Sequence, residues 1–299
     1  MIVSVSRRTD IPAFYQEWFF NRLAAGFAMT RNPMNPSQVR RVDLTPAGVD
    51  CFVFWSKNPV PLLPKLDRLR DYKYYFQFTL TPYEHDLEPG LPAKDEIVAT
   101  FKELSAKIGA ERVVWRYDPI VFTDRYDLHY HSECFEWLCS QLAGFTERCV
   151  ISFYDHYNFI TRNLKGIQIL PADSATIRQT AERFAEIAGS HRLILESCAE
   201  KENLDEFGIA HGRCIDDRLI NRICGRDLQS KRDHGQRPLC GCVKSVDIGA
   251  YATCLHGCRY CYAARQRLTP SEIKARHNPD SPFLVGGLDE RHNISLDSV

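Results

Sequence analysis

The sequence predicts an α/β protein built on a parallel sheet, in the form of a full or partial TIM-like (β/α) barrel. Two observations predict this fold. Short segments rich in β-branched and aromatic residues alternate with amphipathic helical patterns, and several of these segments are nearly continuous apolar runs, as in parallel strands buried on both faces. Such alternation favours right-handed crossovers. The six predicted strands are residues 2–6, 51–55, 74–80, 112–117, 149–154 and 192–197.

Helical patterns fill the intervals between the predicted strands. Residues 95–108, 132–142 and 174–188 each place apolar side chains on one face, and Ser174 is the predicted N-cap of the third. Residues 59–69 are predicted to form a further helix, because Pro59 suits a first helical turn. Six β/α units are more than a flavodoxin-like sheet needs, but they suit a complete or partial barrel.

Composition narrows the class of protein. The 299 residues suffice for one large domain or two smaller ones, and the hydrophobic fraction of 44% is ordinary for a globular chain. Lys plus Arg and Asp plus Glu both number 38, which argues against nucleic acid or an anionic membrane as a partner. No signal-peptide pattern or membrane-length apolar run is present, so a cytoplasmic location is expected. In that compartment, 12 cysteines indicate metal or redox chemistry rather than disulfides.

Three cysteines near the C-terminal end carry the strongest chemical signal. Cys254, Cys258 and Cys261 have the spacing C-x3-C-x2-C. Three thiolates from one loop can bind three corners of a [4Fe–4S] cluster and leave the fourth iron open to a ligand. This spacing is the one used by radical S-adenosylmethionine (SAM) enzymes, in which SAM fills the open corner. Tyr260 occupies the position of the aromatic residue that lies near the adenine in those enzymes.

Two other kinds of site remain open for these cysteines. Cys258 and Cys261 form a C-x2-C knuckle that Cys240, Cys242, Cys254 or His256 would complete as a structural zinc site. A fully ligated iron–sulfur electron carrier or redox sensor is the other alternative. Four thiols would also suffice for a second cluster or a zinc site. The candidate ligands of that second site are Cys198, Cys214, Cys240 and Cys242.

Polar residues gather where the predicted strands end. In barrel folds the loops after the strands build the active site, so these residues are the candidate ligand and catalytic groups. Arg116 or Lys57 is expected to pair with a carboxylate of SAM or of a substrate. The aspartates are expected to accept hydrogen bonds from hydroxyl or ammonium groups. The set consists of Asp10, Lys57, Arg116, Asp118 and Asp155.

Several motifs resemble an uncharacterised bacterial family, a domain of unknown function. They are S-R-R-T-D-I-P-A-F-Y, F-W-S-K-N-P, Y-Y-F-Q-F-T-L, W-R-Y-D-P-I, S-C-A-E and the closing C-x-H-x-C-x-Y-C-Y-A, from near residue 4 to near residue 264. That family has a C-terminal cysteine cluster similar to the N-terminal motif of radical SAM proteins. The resemblance implies a cluster role for Cys254, Cys258 and Cys261 but no particular reaction.

The cysteines follow all six predicted units, whereas in radical SAM proteins they follow the first strand. Two arrangements reconcile the difference. Residues 243–248 form another strand, with the cysteine loop after it and a helix opening at 262–266, in a circularly permuted barrel. Alternatively, the cysteines form a lobe over the barrel mouth. We expect a barrel core over residues 1–200, a cysteine-rich, cluster-binding segment packed on the barrel mouth over 201–267, and an irregular tail over 268–299.

A radical SAM function would require further molecules. A reduced cluster would cleave SAM to a 5′-deoxyadenosyl radical, and the protein would orient this radical and a substrate. The expected partners are therefore a small-molecule substrate and an electron donor such as flavodoxin or ferredoxin.

Overall fold

An open sheet of eight parallel strands forms the centre of the computed structural model, which describes residues 1–264, 269–287 and, for the backbone only, 293–295. The strands of the described residues are β1 Ile2–Val5, β2 Phe27–Asn32, β3 Asn35–Asp43, β4 Cys51–Ser56, β5 Tyr74–Thr79, β6 Val113–Ile120, β7 Arg148–Phe153, β8 Ile194–Ser197, β9 Ala210–His211, β10 Val246–Asp247 and β11 Asn293–Ser295. The strand order of the central sheet is β10-β1-β4-β5-β6-β7-β8-β9, and each pairing within it is parallel. All six predicted strands are present.

Helices connect the strands, and short polar side chains cap several of them. The carboxylate of Asp127 accepts a hydrogen bond from the backbone of Tyr130, and Asp173 accepts one from Thr176, both at 2.8 Å. The prediction of Ser174 as N-cap is therefore wrong by one residue, because Asp173 supplies the acceptor. The helices are α1 Ile11–Phe14, α2 Gln16–Ala25, α3 Lys94–Ile108, α4 Leu128–Leu142, α5 Ser174–Ser190, α6 Asp217–Cys224 and α7 Pro270–Arg276. The helix predicted at 59–69 is a 3₁₀ helix at Leu63–Leu69.

The two faces of the central sheet are covered by different parts of the chain: helices on one face and the segment 198–243 on the other. From β1 to β9 every sheet strand lies one step further in the same direction, so right-handed crossovers carry their helices to one face. On that face Phe101 of α3 packs on Phe78 with ring centroids 4.8 Å apart, and Phe135 of α4 stacks on Trp115 at 5.2 Å. The other face contributes side chains such as Tyr75 to a second core, shared with the segment 198–243.

The sheet does not close. Its outer strands are β9 and β10, and within the described residues no pairing joins them. The prediction of a full TIM barrel is not confirmed; the observed fold is a mixed α/β structure with an open parallel sheet. Each edge strand has only two residues, and the chain between them covers one face of the sheet instead of continuing it.

The predicted strand at 243–248 exists as β10, with Val246 opposite Val3 and Asp247 opposite Ser4. Residues 201–267 thus supply β9 and β10 to the same sheet as residues 1–200. The helix predicted to open at 262–266 does not form over residues 262–264, and residues 265–266 lie outside the described part of the chain.

A second, smaller sheet lies outside the main one. β2 and β3 form an antiparallel hairpin, and β11 pairs with β3 in parallel. The expectation of an irregular tail over 268–299 is wrong for Pro270–Arg276, which is helical, and for Asn293–Ser295. In the portions of the chain described, no helix combines the length and the apolar character needed to cross a membrane.

Candidate functional site

A cavity of about 420 Å³ lies at the carboxyl ends of the parallel strands. Residues that follow β1, β4, β7, β8 and β10 line it, together with Arg116, Asp118 and Pro119 of β6 itself, so one space collects residues from most of the sheet. This is the position at which barrel-type folds build their sites. All of the predicted site residues line this cavity: Asp10, Lys57, Arg116, Asp118, Asp155, Cys198, Cys214, Cys240, Cys242, Cys254, Cys258, Tyr260 and Cys261.

The cysteine loop, residues 254–261, follows β10 and is held by the long loop after β5. The backbone N–H of Arg259 donates to the carbonyl of Leu87, and that of Gly90 donates to the carbonyl of His256, both at 2.9 Å. Burial raises the pKa of the Cys254 thiol to about 12 and that of Cys258 well above its usual range. A metal bound here would therefore displace thiol protons.

Asp10 fastens the cysteine loop to the sheet. Its Oδ2 accepts from His256 Nε2 and from the backbone N–H of Lys57, each at 2.8 Å. Its Oδ1 accepts from Ser56 Oγ at 2.8 Å and from the N–H of Ala13 at 3.0 Å. Four donors thus occupy the carboxylate. Asp10 serves as an internal acceptor between β1, β4 and the cysteine loop, rather than as an open group facing a ligand.

Lys57 and Tyr260 meet at a buried carboxylate that the sequence analysis missed, Glu88. Lys57 Nζ lies 2.7 Å from Glu88 Oε1, Lys94 Nζ lies 2.6 Å from Oε2, and the Tyr260 hydroxyl donates to the same carboxylate. Burial opposes ionisation of Glu88, but the two ammonium groups outweigh it and lower its pKa to about 2. The available signal was the long loop 80–93 after a strand, since such loops often carry function.

Arg116 and Asp118 form a second buried charge pair in the cavity wall. Arg116 Nη2 contacts the Asp118 carboxylate, and Ser152 Oγ donates to the other oxygen. Burial would raise the pKa of Asp118, but Arg116 and the hydroxyl of Ser152 lower it. Arg116, like Lys57, therefore already contacts a carboxylate of the protein. Pairing of either cation with a ligand carboxylate remains a prediction. Asp155 lies at the exposed rim, paired with Arg237.

The four other predicted metal ligands converge in one place. Cys198 Sγ lies 3.1 Å from Cys214 Sγ, and the Cys242 sulfur is within hydrogen-bonding reach of Cys214 and Cys240. Arg116 Nη1 donates to Cys214 Sγ at 2.8 Å. Within the described ranges, no three or more His, Cys, Asp or Glu side chains already have the arrangement of a metal site. The thiol donors themselves suit iron–sulfur clusters or zinc.

Buried polar atoms without a hydrogen-bond partner lie in the wall of the cavity. Among the described residues, Thr9 Oγ1, Trp55 Nε1 and His256 Nδ1 are buried without a hydrogen-bond partner, and all three residues line the cavity. Thr9 and His256 are 5% and 4% exposed. A buried polar atom without a partner costs about 1–3 kcal/mol, so these atoms favour a ligand that would satisfy them.

A known protein family matches the part of the chain that contains the sheet and the cavity. No curated protein matches the chain. A family described as "Domain of unknown function (DUF1848)" matches residues 2–263, from the first strand through the whole cysteine loop. The match confirms the predicted resemblance to a family of unknown function, and it covers the sheet and the cavity together. The chain belongs to the DUF1848 family.

Proposed function

We propose that this protein is a radical-SAM-like iron–sulfur enzyme with a circularly permuted partial barrel. One observation carries the proposal: the C-x3-C-x2-C loop follows a parallel strand at the edge of the sheet and lines the cavity at the strand ends. A small-molecule substrate and an electron donor such as flavodoxin or ferredoxin are the proposed partners. The proposed compartment is the reducing cytoplasm.

The strand order supports the permutation. In radical SAM proteins the cysteine loop follows the first strand of a partial barrel. Here β10 is late in the chain but is first in space, because it lies outside β1 at the edge of a sheet that then runs through β4 to β9. Placing β10 at the start of the chain would give the usual order without moving any strand. A partial barrel also accounts for the sheet being open.

Cys254, Cys258 and Cys261 would hold three irons of a [4Fe–4S] cluster. When bound, such a cluster with an open iron supplies an electron that cleaves SAM and generates a 5′-deoxyadenosyl radical for hydrogen abstraction. The residues around it have other roles. Asp10 and Glu88 orient the loop through His256 and Tyr260. Thr9 and Trp55 offer hydrogen-bonding atoms to the bound molecules.

Aromatic side chains line the cavity beside these polar groups. They provide surfaces for a flat ring and reduce the water within reach of a reactive intermediate. This lining fits a nucleoside-containing ligand better than a bare metal site would require. The side chains are Tyr154, Tyr157, Tyr251 and Tyr262.

Anaerobic purification followed by iron, sulfide and zinc analysis tests the proposal, together with EPR of the reduced protein with and without SAM. We expect a [4Fe–4S] signal that shifts when SAM is added. Cys258→Ala should lose both the signal and SAM cleavage. Cys134→Ala, a half-buried cysteine on α4, is the matched control and should retain both.

Two results would reject the proposal. A cluster signal indifferent to SAM would indicate a fully ligated electron carrier. Zinc in place of iron on the cysteine loop would indicate a structural site without SAM chemistry.

A further inference from the structure

Four buried thiols come together from three separate parts of the chain. Cys198 follows β8, Cys214 follows β9, and Cys240 and Cys242 precede β10. Their exposed fractions are 7%, 5%, 7% and 1%. Free buried cysteines usually pack singly as small apolar side chains. Convergence of four, at the wall of a cavity, calls for a different explanation.

Two sulfur atoms of this four-cysteine cluster are in contact, and two of the four sulfurs accept hydrogen bonds. Cys198 Sγ and Cys214 Sγ are 3.1 Å apart. The backbone N–H of Ile215 donates to Cys242 Sγ at 3.3 Å, and Arg116 Nη1 donates to Cys214 Sγ at 2.8 Å. Hydrogen bonds of this kind orient and support the ligands of metal sites.

We propose that Cys198, Cys214, Cys240 and Cys242 bind a single tetrahedral divalent cation of the zinc type. Zinc–thiolate bonds of about 2.3 Å place neighbouring sulfurs roughly 3.8 Å apart in a tetrahedron. The Cys198–Cys214 contact of 3.1 Å is shorter than that, so these two sulfurs would separate by less than ~1 Å on binding. A cubane cluster would force its thiolates much farther apart, since its own irons and sulfides lie between them.

The charge of the surroundings also fits. Four thiolates around a divalent cation carry a net charge of about −2. Arg116 is 4% exposed, and one of its donors is directed at a sulfur. A neutral thiol is a weak acceptor, whereas a metal-bound thiolate is a charged one. Arg116 Nη2 already pairs with Asp118, and the Nη1 donor is better satisfied beside a metal-bound sulfur than beside a neutral thiol.

The proposed ion would link the segment 198–243, which covers one face of the sheet, to the ends of the strands. Residues 198–243 pack against Val53, Tyr75, Val114 and Val150 on the face opposite α3, α4 and α5. A cation shared by both ends of that segment would fix its position and hence the adjacent cavity wall. This inference goes beyond the proposed SAM chemistry and does not depend on it.

Metal analysis of the full-length protein, purified from cells grown with both zinc and iron, provides the test. We expect one zinc per chain in the wild-type protein. Cys242→Ser should lose that zinc, whereas Cys258→Ala and the control Cys134→Ala should keep it. In protein reconstituted with Co²⁺, visible absorption should have the intensity typical of a tetrahedral four-thiolate site.

Cys198→Ser provides a second variant in case Cys242→Ser fails to fold, and it should also lose the zinc. Zinc retained in both serine variants would overturn the proposal, as would wild-type protein without zinc or with a Cys198–Cys214 disulfide. Iron and sulfide lost from Cys242→Ser would assign a cluster there and reject the single ion. Failure of the SAM proposal would instead appear in the iron, sulfide and EPR of Cys258→Ala.

Discussion

Asp10 Oδ2 and His256 Nε2 lie 2.8 Å apart, although 246 positions of the chain separate the two residues. Because donors occupy all four acceptor positions of the carboxylate, the histidine must donate through Nε2. In a neutral ring His256 Nδ1 is then the acceptor, and this atom is buried in the cavity wall without a partner in the described part of the chain. The tautomer of His256 thus follows from the position of Asp10.

Replacing Asp10 with Asn should loosen the cysteine loop. An amide has one acceptor oxygen, so its NH₂ would face two of the present donors. We expect the free energy of unfolding to fall by about 2–4 kcal/mol and the iron bound per chain to decrease. Urea unfolding and metal analysis measure both. Asp124→Asn, at an exposed position, should change neither; equal losses in the two variants would contradict the role of Asp10.

Gly90→Ala should push the cysteine loop away from its support. A Cβ at residue 90 would collide with the backbone carbonyl of His256. We expect a destabilisation of about 1–3 kcal/mol, because backbone on both sides resists the shift. Gly189→Ala is the control, since a Cβ there meets nothing within 4 Å. Thermal unfolding of the two variants would refute the close approach if their midpoints were equal.

Because the pKa of Glu88 is lowered in the folded protein, we expect the protein to lose stability in acid. Its pKa falls from 4.5 to about 2 in the folded chain, so its stabilisation is complete above pH 4.5 and disappears as the pH falls toward 2. The corresponding change in unfolding free energy is on the order of 3 kcal/mol. Glu88→Gln should remove this part of the pH dependence. Glu103→Gln on α3 should keep it, and a Glu88→Gln curve parallel to the wild type would disprove the pairing.

Because the pKa of Glu200 is raised, we expect its contribution to stability to depend on pH in the opposite direction. Burial raises its pKa to about 7, although the backbone N–H of Phe153 donates to its carboxyl at 2.8 Å. Its contribution to stability is therefore present below pH 4.5 and lost as the pH rises through 7. We expect a decrease on the order of 2 kcal/mol over that interval.

Denaturant unfolding of Glu200→Gln between pH 4.5 and pH 8 should show a flatter profile than the wild type. The exposed Glu17→Gln on α2 should reproduce the wild-type profile. An unchanged slope in Glu200→Gln would contradict the assignment.

Apolar periodicity accounts for what the sequence could predict of the fold. Strands such as Cys51–Ser56 and Tyr74–Thr79 are buried apolar runs, and α3 and α4 have one apolar face. β3 could not be recognised, because Asn35–Asp43 is mostly polar. β9 has only two residues, too few for any period. Apolar periodicity also could not distinguish an open sheet from a closed barrel, since closure depends on where the two edge strands lie.

The candidate site was predictable where residues follow strands and not where they lie in a loop far from any motif. Asp10 and Lys57 come after the ends of β1 and β4, and Arg116 lies in the second half of the strand predicted at 112–117, so the shared edge of the sheet brings them together. Glu88 has no spacing relation to Lys57 or Tyr260, and only the folded loop places it between them. The contact between Asp10 and His256 could not be predicted either, because 246 positions separate the two residues in the sequence.

The pairing of β10 with β1 has a consequence for how the protein is made. Synthesis proceeds from the N-terminus, and N-terminal parts of a chain begin to fold first. The strand that completes the edge of the sheet, and the loop that carries Cys254, Cys258 and Cys261, leave the ribosome after nearly all of the other strands. Under the proposed function, iron would therefore reach these three cysteines only after most of the chain has been made. Chains truncated before residue 246 would lack the cysteine loop and leave β1 as an unprotected edge strand.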